Sequence, residues 1–248
     1  MKTGILLSVR EKATRLPGKV LLPFGNCNVT EHLIQQLKTS EQADRIIVST
    51  STDPRDEVLV KTAKSMGVDY FKGSKDDKLL RYLDTAKEFD LDFIVIVDGD
   101  DPFCSVEHID QMIQRVKEDN ADYIIWEGLP LGATGFGVKV SALENVCHEK
   151  TIANTEIWGH FFTENKNIES VTLKEENPLY NRPDIRMTLD YQEDYDFFQE
   201  IIKNLTKEEI IVNFQNAMQF LKDKPQVSEI NKKVQDKYEK HLQRSLGA

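Results

Sequence analysis

The chain has 248 residues, 40% hydrophobic and 30% charged, which is enough for one large domain or two small ones with a real core. A formal net charge of -10 and a pI near 5.1 exclude the broad basic face of a general nucleic-acid binder, so an anionic ligand has to be held by a local cluster of cations. No apolar run approaches a membrane span, and the three cysteines, Cys27, Cys104 and Cys147, are too few and too scattered for a disulfide framework or a zinc site. Arg10 follows the first apolar run at once with no small-residue cleavage site, so no signal peptide is expected, and the chain is predicted to be cytoplasmic.

Short apolar runs alternate with amphipathic segments from the start. Residues 4–9 (GILLSV) read as a buried strand, and 28–38 as a helix with Asn28 and Glu31 at capping-box spacing. Residues 45–49 (RIIVS) form the next strand, and 54–66 the next helix, with Pro54 in its first turn. Then come a strand at 68–71, a helix at 76–89, a strongly β-branched strand at 93–97 (FIVIV), a helix at 106–118 and a strand at 123–126 (YIIW). This rhythm predicts a parallel sheet covered by helices on both faces.

The rhythm changes after residue 127. Residues 128–137 (GLPLGATGFG), with four glycines and a proline, read as a loop that runs into a strand through residue 140. A helix is expected near 154–164, a strand at 168–173, a turn at 177–183 and another strand at 185–189. From Tyr191 the chain reads as helical, with Thr206 and Glu209 at a second capping-box spacing and a charged, solvated helix face over 231–244. One domain is expected over 1–248: a core at 1–127, a loop-rich segment at 128–173, a strand and helix at 174–204, and a helical C-terminal extension at 205–248.

Ligands of open α/β sheets bind beyond the carboxyl ends of the strands. The first such end carries VREKATRLPGKVLLPFGN, with Arg10, Lys12, Arg15 and Lys19 around Pro17 and Gly18. Pro17 fixes its own torsion and Gly18 permits a left-handed turn, so the loop can present cations to a phosphate chain. It is not a Walker loop, because Gly-x-x-x-x-Gly-Lys-Ser/Thr is absent. The second end is Asp98-Gly99-Asp100-Asp101-Pro102-Phe103, where three carboxylates in four residues call for solvent or a cation. Carboxylates with substrate phosphates are the usual Mg2+ environment. The third end is Asp190, which can face Asp100 across one cation, cap the following helix, or do both. A basic loop and two strand-end carboxylates suit nucleotidyl transfer. His32, His108, His148, His160 and His241 show no metal-ligand spacing, Cys104 has no activating cation nearby in sequence, and Trp126, Trp158, Phe161 and Phe162 read as core.

These stretches, in this order, resemble the cytidylyltransferases that make CMP-activated sugars, and most of all the branch similar to spore coat polysaccharide cytidylyltransferases. Arg10 to Lys19 is similar to that family's Ala-Arg-x-x-Ser-Thr-Arg-Leu-Pro-Gly-Lys loop. GSKDDKLLRYLDTA, residues 73–86, resembles the branch's Gly-Ser-Glu-Asp-Asp-Val-Leu-Asp-Arg-Tyr segment. DGDDPF resembles its Thr-Gly-Asp-Cys-Pro-hydrophobic, and RPDIRMTLDYQEDYDFF its Arg-Pro-Asp-Leu-Arg-Leu-Thr-Val-Asp-Thr-Pro-Glu-Asp. The resemblance implies a Rossmann-like, GT-A-like nucleotidyltransferase fold, an α/β three-layer sandwich with a mostly parallel sheet and a helical C-terminal extension. It implies CTP, Mg2+, a small anionic acceptor such as a sugar acid, and a homodimer, with 1–127 as the nucleotide-binding core and 128–173 as the acceptor and dimerisation segment. Arg10, Arg15, Gly18 and Lys19 fall at triphosphate positions, Asp100 and Asp190 at metal positions, and Gly73, Ser74 and Asp77 near the nucleoside. Arg10, Lys19, Asp100 and Asp190 are the implied catalytic set, with Glu156 and Arg186 on the acceptor side. The chain departs from the pattern at Ala13, Asp98, Asp101 and Tyr191-Gln192. Two rival readings stay open: a glycosyltransferase using Asp98-Gly99-Asp100 as Asp-x-Asp, and a non-catalytic nucleotide-binding relative.

Overall fold

The computed structural model describes residues 1–119, 121–235, 237 and 238. Part of the charged face expected over 231–244, and His241 within it, lie outside the described residues.

The elements run in the order β1 (Thr3–Ser8), β2 (Pro23–Phe24), β3 (Cys27–Asn28), α1 (Val29–Leu37), β4 (Arg45–Ser51), α2 (Glu57–Met66), β5 (Asp69–Gly73), α3 (Lys78–Glu88), β6 (Phe93–Asp98), α4 (Val106–Asp119), β7 (Tyr123–Glu127), β8 (Phe136–Lys139), α5 (Val140–Glu149), α6 (His160–Thr163), β9 (Ser170–Lys174), α7 (Gln192–Lys207) and α8 (Phe214–Asp223). The expected capping box of α1 is present: Asn28 accepts from Glu31 N at 3.0 Å, and Glu31 accepts from Asn28 N at 2.9 Å.

Seven strands form one sheet in the order β5-β4-β1-β6-β8-β7-β9. All pairs are parallel except those of β8, which runs antiparallel to both β6 and β7. Strands buried on both faces read as continuous apolar runs, and their period-two alternation sends side chains to two cores. Ile5, Leu7, Phe93, Val95 and Val97 pack with α1, α2, α4, α7 and α8 on one face. Leu6, Ile94 and Ile96 pack with α3, α5 and α6 on the other. The mostly parallel three-layer arrangement is therefore the one expected.

Four expectations are corrected. Residues 140–149 form α5, where no helix was read. The helix expected near 154–164 shrinks to α6, and the stretch before it is irregular. Residues 185–189 do not join the sheet. Their backbone bonds go to loops instead: Leu131 N to Ile185 O at 3.0 Å, Met187 N to Leu131 O at 2.7 Å and Leu189 N to Asp100 O at 2.7 Å. Thr206 and Glu209 cap nothing, since Thr206 lies in the last turn of α7 and Glu209 sits in the turn after it at φ 56°. Asn213 caps α8, accepting from Asn216 N at 2.9 Å.

Candidate active site at the strand ends

The basic loop leaves β1 and is fixed at its start by the buried carboxyl of Asp56, which accepts from Glu11 N at 2.7 Å and from Ser51 Oγ at 2.5 Å. Gly18 takes the left-handed region at φ 67° and starts one turn of 3-10 helix, Lys19–Leu21. That turn aims Lys19 inward, leaving its side chain 12% exposed. Lys12 points to solvent.

The Lys19 ammonium lies 2.5 Å from Asp100 Oδ2 and 2.8 Å from Asp190 Oδ1. Asp100 and Asp190 thus face each other as expected, but across the nitrogen of Lys19. Burial works against that charge, and the two carboxylates outweigh it and raise the lysine pKa above its ordinary value. Burial likewise opposes the charge of Asp100, and Lys19 overcomes it and holds the carboxyl below its usual range. Asp98, Asp100 and Asp101 offer oxygens within 4.8 Å of one another, the one such potential metal cluster among the described residues. Burial pushes Asp98 and Asp101 up, and the neighbouring carboxylates push Asp101 further.

Asp190, only 3% exposed in its side chain, also takes Arg15 at 2.5 Å and Arg186 at 3.0 Å. It reaches this position without being a sheet strand's end, because Leu189 N bonds Asp100 O and Asp190 N bonds Asp194 Oδ2. Asp194, not Asp190, satisfies the amide at the start of α7, accepting from Tyr191 N at 3.0 Å. Arg186 is buried behind Asp190. Its guanidinium is divided among Asp190, Asp194 and Gln235, and it lies 4.7 Å from the Tyr238 ring centroid. That places it as a support for Asp190 and not on an open acceptor surface. Asn231 bonds both Arg186 O and Asp194 Oδ1.

Arg10 turns away from this cluster and meets Glu156 at 2.6 Å and the carbonyl of Lys75 at 2.8 Å. Gly73 closes β5 against Arg81 and Phe71. Ser74 Oγ accepts from Asp77 N at 3.1 Å, and its carbonyl accepts from the buried Arg81 at 2.9 Å. Asp77 is committed to local structure: it caps α3 through Leu80 N at 3.0 Å, bonds Thr155 Oγ1 at 2.9 Å and pairs with Lys150. Sequence reading missed Lys78, which lies 3.1 Å from Glu156 and 4.0 Å from Asp98. Its signal was a lysine in the first turn of a helix, where a cation opposes the helix dipole. Two cavities, of 470 and 270 Å³, lie elsewhere, near Glu127, Glu175 and Trp126, while the strand-end cluster is filled by its own ion pairs.

A mostly parallel sheet carrying a basic loop after its first strand and carboxylates beyond its ends is an α/β nucleotidyltransferase fold. Residues 5–246 match the sequence model of the cytidylyltransferases, and the chain belongs to the cytidylyltransferase family. It is 32% identical over 238 residues to an uncharacterized protein of Methanocaldococcus jannaschii, covering 96% of this chain and 97% of that one. It is 26% identical over 197 residues to the spore coat polysaccharide biosynthesis protein SpsF of Bacillus subtilis, covering 77% of this chain and 82% of that one. A solved cytidylyltransferase from Leptospira borgpetersenii superposes with a TM-score of 0.81 at 26% identity, over 92% of this chain and 96% of that one. No helix among the described residues is long and apolar enough to cross a membrane.

Proposed function

We propose that the chain is a CTP-dependent cytidylyltransferase that moves CMP to a hydroxyl, phosphonate or phosphate oxygen of a small anionic acceptor, a sugar or sugar acid, and releases pyrophosphate. The observation that carries this reading is the Lys19 ammonium held between Asp100 and Asp190 at the strand ends. The hard carboxylate oxygens of Asp98, Asp100, Asp101 and Asp190 are a donor set that fits Mg2+, with Asp100 and Asp190 the residues that would hold it. Bound there, the ion would neutralise charge on the phosphates as a Lewis acid. In the proposal Lys19 bonds an oxygen of the α-phosphate where charge shifts in the transition state, and Arg15 and Arg10 orient the rest of the chain of phosphates. Gly18 lets the loop backbone approach them. A homodimer through residues 128–173 belongs to the same proposal, supported by the outer edge of β9 at the margin of the sheet.

The test is pyrophosphate release from CTP across a library of sugar acids and phosphonates, with thermal shift by the four triphosphates in Mg2+. Lys19→Ala is expected to lower kcat about 100-fold or more with a smaller rise in KM, the pattern of an interaction strongest in the transition state. Lys12→Ala is expected to be silent. Equal damage from both would reduce the loop to a solvated turn. Preferential stabilisation by ATP or UTP would reject the cytidine reading, and glycosyl transfer without pyrophosphate would reject nucleotidyl transfer.

A further inference from the structure

The cations of the site divide into two groups. Lys19 and Arg15 lie with Asp100 and Asp190. Arg10 leaves the same loop in another direction, and Lys78 meets it there from the first turn of α3. The Glu156 carboxylate bridges the two, 2.6 Å from Arg10 and 3.1 Å from Lys78. Lys78 is 14% exposed in its side chain, whereas Glu156 is 54% exposed. The cations are therefore the fixed part and the carboxylate the replaceable part.

The chain around Glu156 has the form such an exchange needs. Its segment is irregular between α5 and α6, yet it is tied on both sides. Thr155 N bonds Asp76 O and Thr155 Oγ1 bonds Asp77, while Trp158 is buried against Tyr82 and Tyr123. Rotation of one half-exposed side chain uncovers both cations without moving the backbone. The two cations then present converging charge-assisted donors from different elements, the arrangement that takes two oxygens of one phosphoryl or carboxylate group. Asp98, 4.0 Å from Lys78, is a second carboxylate beside the ammonium. Lys78 also stands where the resembled segment has valine, and Asp98 where it has threonine, so two departures from the pattern lie together in space.

We propose that Arg10 and Lys78 form a second anion seat, distinct from Lys19 and Arg15, which Glu156 occupies until a phosphoryl or carboxylate group of a substrate displaces it. Lys78 is then a specificity-determining residue. The proposal rests on the transfer reading given above, and the anion comes either from the polyphosphate tail of the nucleotide or from the acceptor.

Titration calorimetry on the full chain in Mg2+ with inorganic pyrophosphate and with gluconate separates these sources. Glu156→Gln is expected to tighten binding of one probe about tenfold, and Lys78→Met to loosen the same probe by a similar factor, about the effect of one charge-assisted contact. The gain from Glu156→Gln is expected to shrink in the double variant. Glu164→Gln, the same charge change on an exposed turn, gives the long-range electrostatic background. A response to pyrophosphate assigns the seat to the nucleotide tail, and a response to gluconate assigns it to the acceptor. Unchanged or weaker binding of both probes by folded Glu156→Gln overturns the proposal. Neither probe is a nucleotide, so the outcome stands even for a chain that does not use CTP.

Discussion

Among the described residues three cations converge on Asp190, from Arg15, Lys19 and Arg186, whereas Asp100 pairs with Lys19 and is 26% exposed in its side chain. The two carboxylates therefore answer differently to neutralisation. Asp190→Asn takes one counter-charge from each of three cations, of which Lys19 and Arg186 are largely buried, a loss on the order of 3–5 kcal/mol for a broken buried pair. Asp100→Asn is expected to lose turnover with less than about 1 kcal/mol of stability, the scale of a partly exposed pair. Urea denaturation of both variants decides this, and equal midpoints would remove the distinction. His32 offers a second test. It is buried between the rings of Phe24 and Phe103, and burial lowers its pKa from 6.5 to about 4, against the opposing pull of a Pro102 backbone bond. The unfolded chain takes up the proton first as pH falls. Stability is full above pH 6.5 and declines toward pH 4, by about 3 kcal/mol at roughly 1.4 kcal/mol per pH unit. In His32→Leu this part of the acid loss is expected to vanish when denaturation curves at pH 7 and pH 4 are compared.

The strands at 4–9, 45–49 and 93–97 were legible because each is a continuous apolar run bounded by polar residues, and their ends moved by only a residue or two. α5 was not, because it starts directly from β8 at Lys139 with no side-chain cap and carries Val140, Val146 and Cys147, which favour helix weakly. The expected helix near 154–164 holds only around Phe161 and Phe162 in α6, while Trp158 lies before it, and both Trp158 and Phe162 pack on Tyr123. Residues 185–189 have the pattern of a strand but find partners in loops, which periodicity cannot reveal. The contact between 185–189 and residues 128–133 rests on Gly132. Its φ is 85°, and a methyl there would meet Asp101 Oδ1 at 2.7 Å and Met187 O at 2.9 Å. Gly132→Ala is expected to cost about 2 kcal/mol or more, since backbone strain and a close backbone contact add. A thermal melt within a degree of wild type would show that this crossing yields without strain.

Arg10, Arg15, Lys19 and Asp100 were legible as one group because β-α-β order brings the ends of β1 and β6 to one edge of the sheet, whereas Asp190 reaches them from a segment outside the sheet and was singled out by reading 185–189 as a strand. Glu156 was singled out only through the family resemblance, on the acceptor side, and Lys78 was not singled out at all, because their meeting depends on how the segment after α5 returns over α3, and nothing local encodes that. The sheet itself has another consequence, in time and not in space. β6 lies between β1, which precedes it, and the reversed β8, which is made roughly forty residues later. At about 5–20 residues per second, a ribosome leaves one edge of FIVIV bare for several seconds. An uncharged edge of five apolar, mostly β-branched residues is a template for intermolecular pairing. A fragment ending at residue 127 is expected to sediment as aggregate, and extension to residue 150, which supplies β8 and α5, to raise the soluble fraction several-fold. Equal solubility of the two fragments would show that the helices shield β6 early. The antiparallel strand that completes the sheet thus also ends the nascent chain's period of greatest exposure to its neighbours.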